Sequence, residues 1–161
     1  MTALMNAVNK NDAAGARTLI ADGANVSEID AKGDSPLIIA AYKGYTEIVR
    51  LLLEAGANVG ALDPGMKATA LHAAAYAGHA AAAQLLIQHR IDIDKQGPYN
   101  GYTALHDAIW QDNIEVARAL IDAGANLQIA SNSGETPLSF AQSKRRKEIV
   151  ALIEAKLNST K

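Results

Sequence analysis

A short block of the form Thr/Ser-x-Leu recurs along the chain at nearly constant spacing. The five blocks begin at Thr2, Ser35, Thr69, Thr103 and Thr136, which are 33, 34, 34 and 33 residues apart. In four of the five units an apolar pair follows 17 and 18 residues after the Thr or Ser. A fixed period of this length is typical of repeat architectures, in which each unit packs on its neighbours. The sequence therefore predicts a linear stack of five units rather than a domain around one central core.

Each unit has the pattern of two short helices followed by a turn-rich loop. Threonine or serine before an apolar run accepts a hydrogen bond from an early backbone N–H and begins the first helix. Gly44 and Gly78 are predicted to end this helix, since glycine tolerates the left-handed conformation found there. A second helix, such as 47–54, then ends at Gly56. The polar stretch that follows contains Gly and Asp and is typical of a turn.

Three segments make the pattern specific. Ser35–Asn58 (SPLIIAAYKGYTEIVRLLLEAGAN), Thr69–His79 (TALHAAAYAGH) and Thr103–Ile109 (TALHDAI) resemble ankyrin repeats. The resemblance covers essentially the full chain and implies an all-α fold, an ankyrin-repeat solenoid of stacked antiparallel helix pairs joined by β-hairpin-like loops. We expect a single domain over residues 1–161, with the first and last repeats as caps. Its five units are expected at about 1–30, 31–63, 64–96, 97–130 and 131–161.

Two departures from a regular repeat lead to further expectations. One extra residue around Pro64-Gly65, and another around Gly97-Pro98, predict two loops longer than the others. Arg90 stands where the other units have glycine at the end of the second helix. We therefore expect that helix end to be irregular.

The composition argues against several classes of partner. The net charge is −2, with 15 basic and 17 acidic residues, so we expect neither nucleic acid nor a membrane surface as partner. The sequence has no cysteine, which excludes disulfides and cysteine-based zinc sites. The cytoplasm is the expected location, although export with a removed signal peptide is the alternative.

Histidine supplies the main candidate for catalysis or metal binding. His72 and His106 occupy the same place in two TALH blocks, and the resemblance implies that they tie neighbouring hairpins and helices together by hydrogen bonds. Asp92 and Asp94 indicate a solvated turn rather than a calcium loop. The basic run 144–147 is interpreted as a solubilising face, with an acidic partner as the alternative. We expect no enzyme activity and no cofactor; an enzyme that uses the two histidines with a metal or ligand is a less favoured hypothesis.

The resemblance also supplies a map of the concave face of such a solenoid. It comprises positions one, three and four before each Thr or Ser, and seven and eight after it. Five of the seven aromatic residues fall on these positions, and exposed Tyr and Trp side chains dominate binding hot spots. The alternative for these rings, above all for Trp110, is that they brace adjacent repeats. The predicted partner-binding residues are Lys32, Asp34, Tyr42, Lys43, Met66, Tyr76, Tyr99, Asn100, Tyr102, Trp110, Gln111 and Glu135.

The sequence thus favours a non-catalytic scaffold that holds another protein or peptide through repeats two to four and is monomeric by itself. A structural role, in which the same face forms a homodimer, is the alternative from a different class of function. The two differ in what covers the aromatic side chains, a partner or a second copy.

Overall fold

Ten short helices in five antiparallel pairs make up residues 1–159, the part of the chain that the computed structural model describes. No strand occurs in these residues, which confirms the all-α prediction. Their longest helix has 13 residues, and none is long and apolar enough to cross a membrane. In chain order the helices are α1 (Ala3–Asn9), α2 (Ala13–Ala21), α3 (Pro36–Lys43), α4 (Thr46–Glu54), α5 (Ala70–Ala77), α6 (Ala80–Gln88), α7 (Ala104–Trp110), α8 (Ile114–Asp122), α9 (Pro137–Ser143) and α10 (Lys147–Ser159).

The helices form two rows. The odd-numbered helices pack side by side in an inner row, and the even-numbered helices pack side by side in an outer row. Each inner helix also packs on the outer helix of its own pair, so each unit packs mainly on the units before and after it. This is the solenoid that the repeat period predicts.

Threonine or serine begins every inner helix, as predicted. In all five units its side-chain oxygen accepts a hydrogen bond from the backbone N–H three residues later, at 3.1 to 3.4 Å. Each of these bonds satisfies a donor that the first turn would otherwise leave free. A cap of this kind stabilises a helix by about 1 kcal/mol.

A column of alanines brings the inner helices close together. The fifth residue after each Thr or Ser is alanine in every unit, and all five side chains are buried. They are Ala7, Ala40, Ala74, Ala108 and Ala141. Because so small a side chain lets the neighbouring backbone approach, the core is a thin continuous layer between the two rows, which suits a chain with many alanines and few aromatic residues.

The inner helices end on a residue in the left-handed conformation. Gly44 has φ +74°, and the ring of His79 from the next unit occupies the space where a side chain would stand. Asn11, Asp112 and Arg145 adopt the same conformation at the equivalent positions, with φ between +57° and +59°. The turn is therefore kept even where the sequence lacks glycine.

The predicted irregularity at Arg90 is wrong. Arg90 has φ +62°, its N–H donates to the carbonyl of Ile87 at 3.0 Å, and the N–H of Ile91 donates to the carbonyl of Leu86 at 3.3 Å. The second helix of unit two ends at Gly56 with the equivalent pair of bonds. These bonds hold the arginine in a conformation that costs a residue with a Cβ atom roughly 1–2 kcal/mol.

Two of the four loops between units contain an extra residue, as predicted. In loops 30–34 and 131–135 a backbone N–H bonds to the carbonyl four residues later, at 3.0 and 2.9 Å. In loops 63–68 and 97–102 the equivalent bond spans five residues, at 2.9 Å in both. The two longer loops therefore precede the inner helices of units three and four.

Candidate partner-binding groove

A groove of about 1080 Å³ runs along the inner row of helices across units one to four. Loops 30–34, 63–68 and 97–102 form one wall, which we call the loop wall. The last turns of the inner helices form the other wall, and their middle turns form the floor. Its volume lies at the upper end of the range for small-molecule pockets, about 300 to 1,000 Å³, but it is an elongated groove that extends over four units.

Most of the residues predicted to bind a partner line this groove. Tyr99, Gln111 and Glu135 do not. The carbonyl of Tyr99 accepts a hydrogen bond from the amide of Asn132 at 3.2 Å, and the carboxylate of Glu135 accepts one from the hydroxyl of Ser143 at 2.9 Å. The nine that line it are Lys32, Asp34, Tyr42, Lys43, Met66, Tyr76, Asn100, Tyr102 and Trp110.

Large apolar side chains are exposed along the groove in successive units. Tyr42, Tyr76 and Trp110 are equivalent residues, each seven positions after the Thr or Ser of its unit, and are 54%, 47% and 43% exposed. Met66 on the loop wall is 56% exposed. An exposed apolar surface of this kind is typical of an interaction site. We call the three rings the aromatic ladder.

Two of the groove's aromatic rings also hold the last unit in place. The ring of Trp110 stacks on that of Phe140 with centroids 6.2 Å apart and planes 11° from parallel. Tyr102 is partly buried between Phe140, at 5.2 Å, and His106, at 5.4 Å. The ammonium of Lys144 lies 4.6 Å from the centre of the Trp110 ring. The bracing role considered for Trp110 is therefore present, while part of its surface still faces the groove.

The two TALH histidines use both ring nitrogens in hydrogen bonds. Nδ1 of His72 and of His106 accepts a bond from the N–H of its own N-cap threonine, at 3.3 and 3.2 Å. Nε2 then donates to a carbonyl in the next unit, that of Tyr102 at 3.1 Å and that of Glu135 at 2.9 Å. Burial lowers the pKa of both imidazoles and favours the neutral form. The implied role in tying units together is confirmed, and neither ring has a free nitrogen for a metal or a substrate.

The other side chains considered for metal binding are the two aspartates of the turn at residues 92–94. Within residues 1–159 no group of three or more His, Asp or Glu side chains is suitably placed to hold an ion. Asp92 and Asp94 form a turn in which the N–H of Asp94 donates to the carboxylate of Asp92 at 3.1 Å. The carboxylate of Asp94 accepts a bond from the N–H of Asn126 in the next unit at 2.9 Å. The two carboxylates therefore stabilise their own turn and its contact with the next unit.

The basic run 144–147 takes part in packing, which its interpretation as a solubilising face did not include. Arg146 donates from its guanidinium to two carbonyls at the end of α7, at 3.0 and 2.6 Å. Asn113 makes the equivalent bonds to the end of α5, at 2.7 and 3.1 Å. Arg146 thus belongs to the joint between units four and five, whereas Arg145 and Lys147 are exposed.

Asp107, which is partly buried in the floor of the groove, is not among the binding residues predicted from the sequence. Unit two has Ile39 and unit three has Ala73 at the equivalent position. The carboxylate of Asp107 has no hydrogen-bond or ion-pair partner among residues 1–159, and burial raises its pKa to about 7. Residues three apart share one face of a helix, so extending the map one turn back from Trp110 would have found it.

Carboxylates are also concentrated on the loop wall. Those of Asp30 and Asp63 accept backbone N–H bonds within their own loops at 2.8 to 3.0 Å and so shape the turns. The pKa of Asp34 is raised by burial and by the nearby carboxylates of Asp30 and Asp63. Lys32 is the one lysine of this wall that lines the described groove. The loop wall therefore presents more negative than positive charge to a ligand.

Comparison with known proteins agrees with this architecture. The family model described as ankyrin repeats (3 copies) matches residues 1–63 and 58–131. The chain belongs to the ankyrin-repeat family. Ankyrin repeats generally mediate interactions between proteins and are typically non-catalytic.

Two curated relatives share part of this ankyrin-repeat protein. A 67-residue segment is 43% identical to the probable E3 ubiquitin-protein ligase XBOS34 of Oryza sativa subsp. japonica, and covers 40% of this chain and 13% of the relative. A 71-residue segment is 39% identical to a putative ankyrin repeat protein of Rickettsia bellii (strain RML369-C), and covers 42% of this chain and 29% of the relative. The chain thus matches less than a third of the length of either protein.

Proposed function

We propose that this ankyrin-repeat protein is a non-catalytic module that holds a segment of another protein in its groove. The observation that carries the proposal is the aromatic ladder, whose three rings are between 43% and 54% exposed in successive units. Covering such rings removes apolar surface from water, which contributes about 25 cal/mol per Å². The loop wall supplies polar groups around this apolar stripe, the arrangement of a hot spot with a polar rim.

The chemistry of the described residues favours binding over catalysis. The histidines that an enzyme would use, His72 and His106, are buried and hydrogen-bonded through both ring nitrogens. Ligase activity is not part of the proposal, because the aligned segment is only 13% of the ligase relative. The proposed partner is therefore a polypeptide, and no cofactor is needed to hold it.

A photo-crosslinking experiment tests the location of the site. A photoreactive phenylalanine analogue replaces Tyr76 in one protein and Gln84, an exposed residue on the outer helix α6, in a control. Illumination in a lysate of the native host should crosslink the Tyr76 protein to a partner that the Gln84 protein does not capture. Equal capture by both proteins would contradict the groove, and crosslinked dimers of the chain itself would support the homodimer alternative.

Affinity measurements on the captured partner then test the aromatic ladder. We expect Tyr42→Ala and Tyr76→Ala each to weaken binding by roughly 10- to 100-fold, the loss typical of a hot-spot aromatic residue. Gln84→Ala should leave the affinity unchanged. Unchanged affinity in both tyrosine variants would show that the ladder is not the binding surface.

A further inference from the structure

We propose that Asp107 determines which partners the groove accepts, and that the bound segment places a lysine or arginine side chain against its carboxylate beside Tyr76 and Trp110. This inference rests on the proposed function and adds the chemistry of the partner.

The fold does not require a carboxylate at this position. The equivalent residues are apolar in units two, three and five, where they are Ile39, Ala73 and Phe140, and the equivalent residue of unit one, Asn6, is polar but uncharged. A carboxylate partly withdrawn from water without a partner lowers stability. The carboxylate of Asp107 keeps some contact with solvent and has no hydrogen-bond or ion-pair partner among residues 1–159. Asp107 lies in the first turn of α7, where the helix dipole favours a negative charge, but this interaction does not replace a direct partner. A cation brought by a ligand would supply that partner.

The surroundings of Asp107 suit the long side chain of lysine or arginine. Ala73, a small residue, lies at the equivalent position on the neighbouring helix α5 and lines the same groove as Asp107. Tyr76 and Trp110 lie one turn further along α5 and α7 and line the same groove. Aromatic rings attract cations, and the Lys144 ammonium, 4.6 Å from the centre of the Trp110 ring, shows that ring already in such a contact.

No basic group of the described chain takes the place of the missing cation. Lys144 lies over the rings of Trp110 and Phe140 and forms no ion pair with Asp107. The nearby imidazole of His106 donates to the carbonyl of Glu135. Burial lowers the pKa of this imidazole and so favours its neutral form. The lysines that line the groove, Lys10, Lys32 and Lys43, belong to units one and two. A free metal ion is a poorer ligand than a basic side chain, because residues 1–159 offer no set of three ligating groups for one.

Selection from a library of displayed random peptides tests the inference. The library is selected on the wild-type protein after binders of the Tyr76→Ala variant have been removed, so that only groove-dependent peptides remain. We expect these peptides to share a lysine or arginine at one fixed position. Changing that residue to methionine, which keeps an unbranched side chain without the charge, should weaken binding to the wild type by roughly tenfold or more.

The matched protein variants assign the effect to one carboxylate. Asp107→Asn should bind the basic peptide and its methionine version with similar affinities, as measured by calorimetry. Asp122→Asn, an equal change at an exposed residue of the outer helix α8, should keep the wild-type preference. Thermal unfolding of both variants establishes that they are folded, and we expect Asp107→Asn to be at least as stable as the wild type.

The possible failures are distinguishable. Groove-dependent peptides without a shared basic position would overturn the role of Asp107 and leave the proposed function standing. An unchanged preference in Asp107→Asn would do the same. If the selection yields no peptide that depends on Tyr76, both the proposed function and this inference are wrong.

Discussion

Burial shifts the pKa values of individual ionisable residues of this chain in opposite directions, upward for an aspartate and downward for two histidines. Burial raises the pKa of Asp107 to about 7 and lowers the pKa of His72 and of His106. The folded chain therefore binds a proton at Asp107 more tightly than the unfolded chain, in which the pKa of aspartate is about 3.9. The contribution of Asp107 to the free energy of unfolding is therefore greatest below about pH 4 and is lost as the pH rises through 7. The two histidines have the opposite pH dependence. Their contribution to the free energy of unfolding is greatest above about pH 6.5 and is lost as the pH falls through their lowered pKa values.

The difference between wild type and Asp107→Asn isolates the aspartate from the histidines. We expect the variant to raise the free energy of unfolding by about 1–4 kcal/mol at pH 8. At pH 4 the variant should change it little, because the folded carboxyl is protonated and the unfolded one is about half protonated. Urea unfolding at a series of pH values measures this difference. Asp122→Asn should show no such trend, and a difference in Asp107→Asn that does not vary with pH would exclude burial of the ionised carboxylate as its cause.

At the scale of helices and turns, the end of α6 offers the clearest test of backbone strain. Arg90 holds φ +62° where three other units have glycine with φ between +88° and +93°. Arg90→Gly should therefore raise the free energy of unfolding by about 1 kcal/mol, because glycine adopts this conformation without a Cβ penalty. Arg118→Gly, the same change inside the exposed face of α8, should lower it by about 1 kcal/mol. Thermal or urea unfolding compares the two, and the same sign in both variants would contradict the strain at Arg90.

At this scale, the sequence predicts those features that depend on residues close together in the chain. The N-cap hydroxyls and the extra residue in two loops act within a few residues of their own positions, and both predictions are confirmed. The regular turn at Arg90 was missed because backbone hydrogen bonds, not the residue type, fix its shape. Arg146 was missed because its guanidinium bonds to carbonyls 36 and 37 residues earlier, in the preceding unit. The aromatic residues that line the groove were predicted from their repeat positions. Asp107 lies one turn before Trp110 on the same face of α7, outside the positions used for that prediction.

At the scale of the whole molecule, side chains cross the last two joints between units to bond with backbone carbonyls. His72 and Asn113 act at the joint between units three and four, and His106 and Arg146 act at the joint between units four and five. In each pair, one side chain reaches the loop of the next unit and the other reaches the inner helix of the unit before. Since each unit packs mainly on its two neighbours, the coupling across these joints determines how far a local disturbance spreads.

Hydrogen exchange of His106→Ala tests this linear coupling. The change removes the bond to the Glu135 carbonyl and the acceptor for the Thr103 N–H, a loss of about 2–4 kcal/mol when buried partners are left unpaired. Faster exchange should concentrate in α7 and in α9 and α10 beyond it, whereas α1 to α4 should exchange nearly as in the wild type, because local opening follows contiguous units. His89→Ala is the control, since His89 bonds at 2.9 Å to the Leu85 carbonyl of its own helix and crosses no joint. An equal increase across all the described helices would mean that the five units open as one body, and the coupling between neighbours would then be stronger than the separate joints indicate.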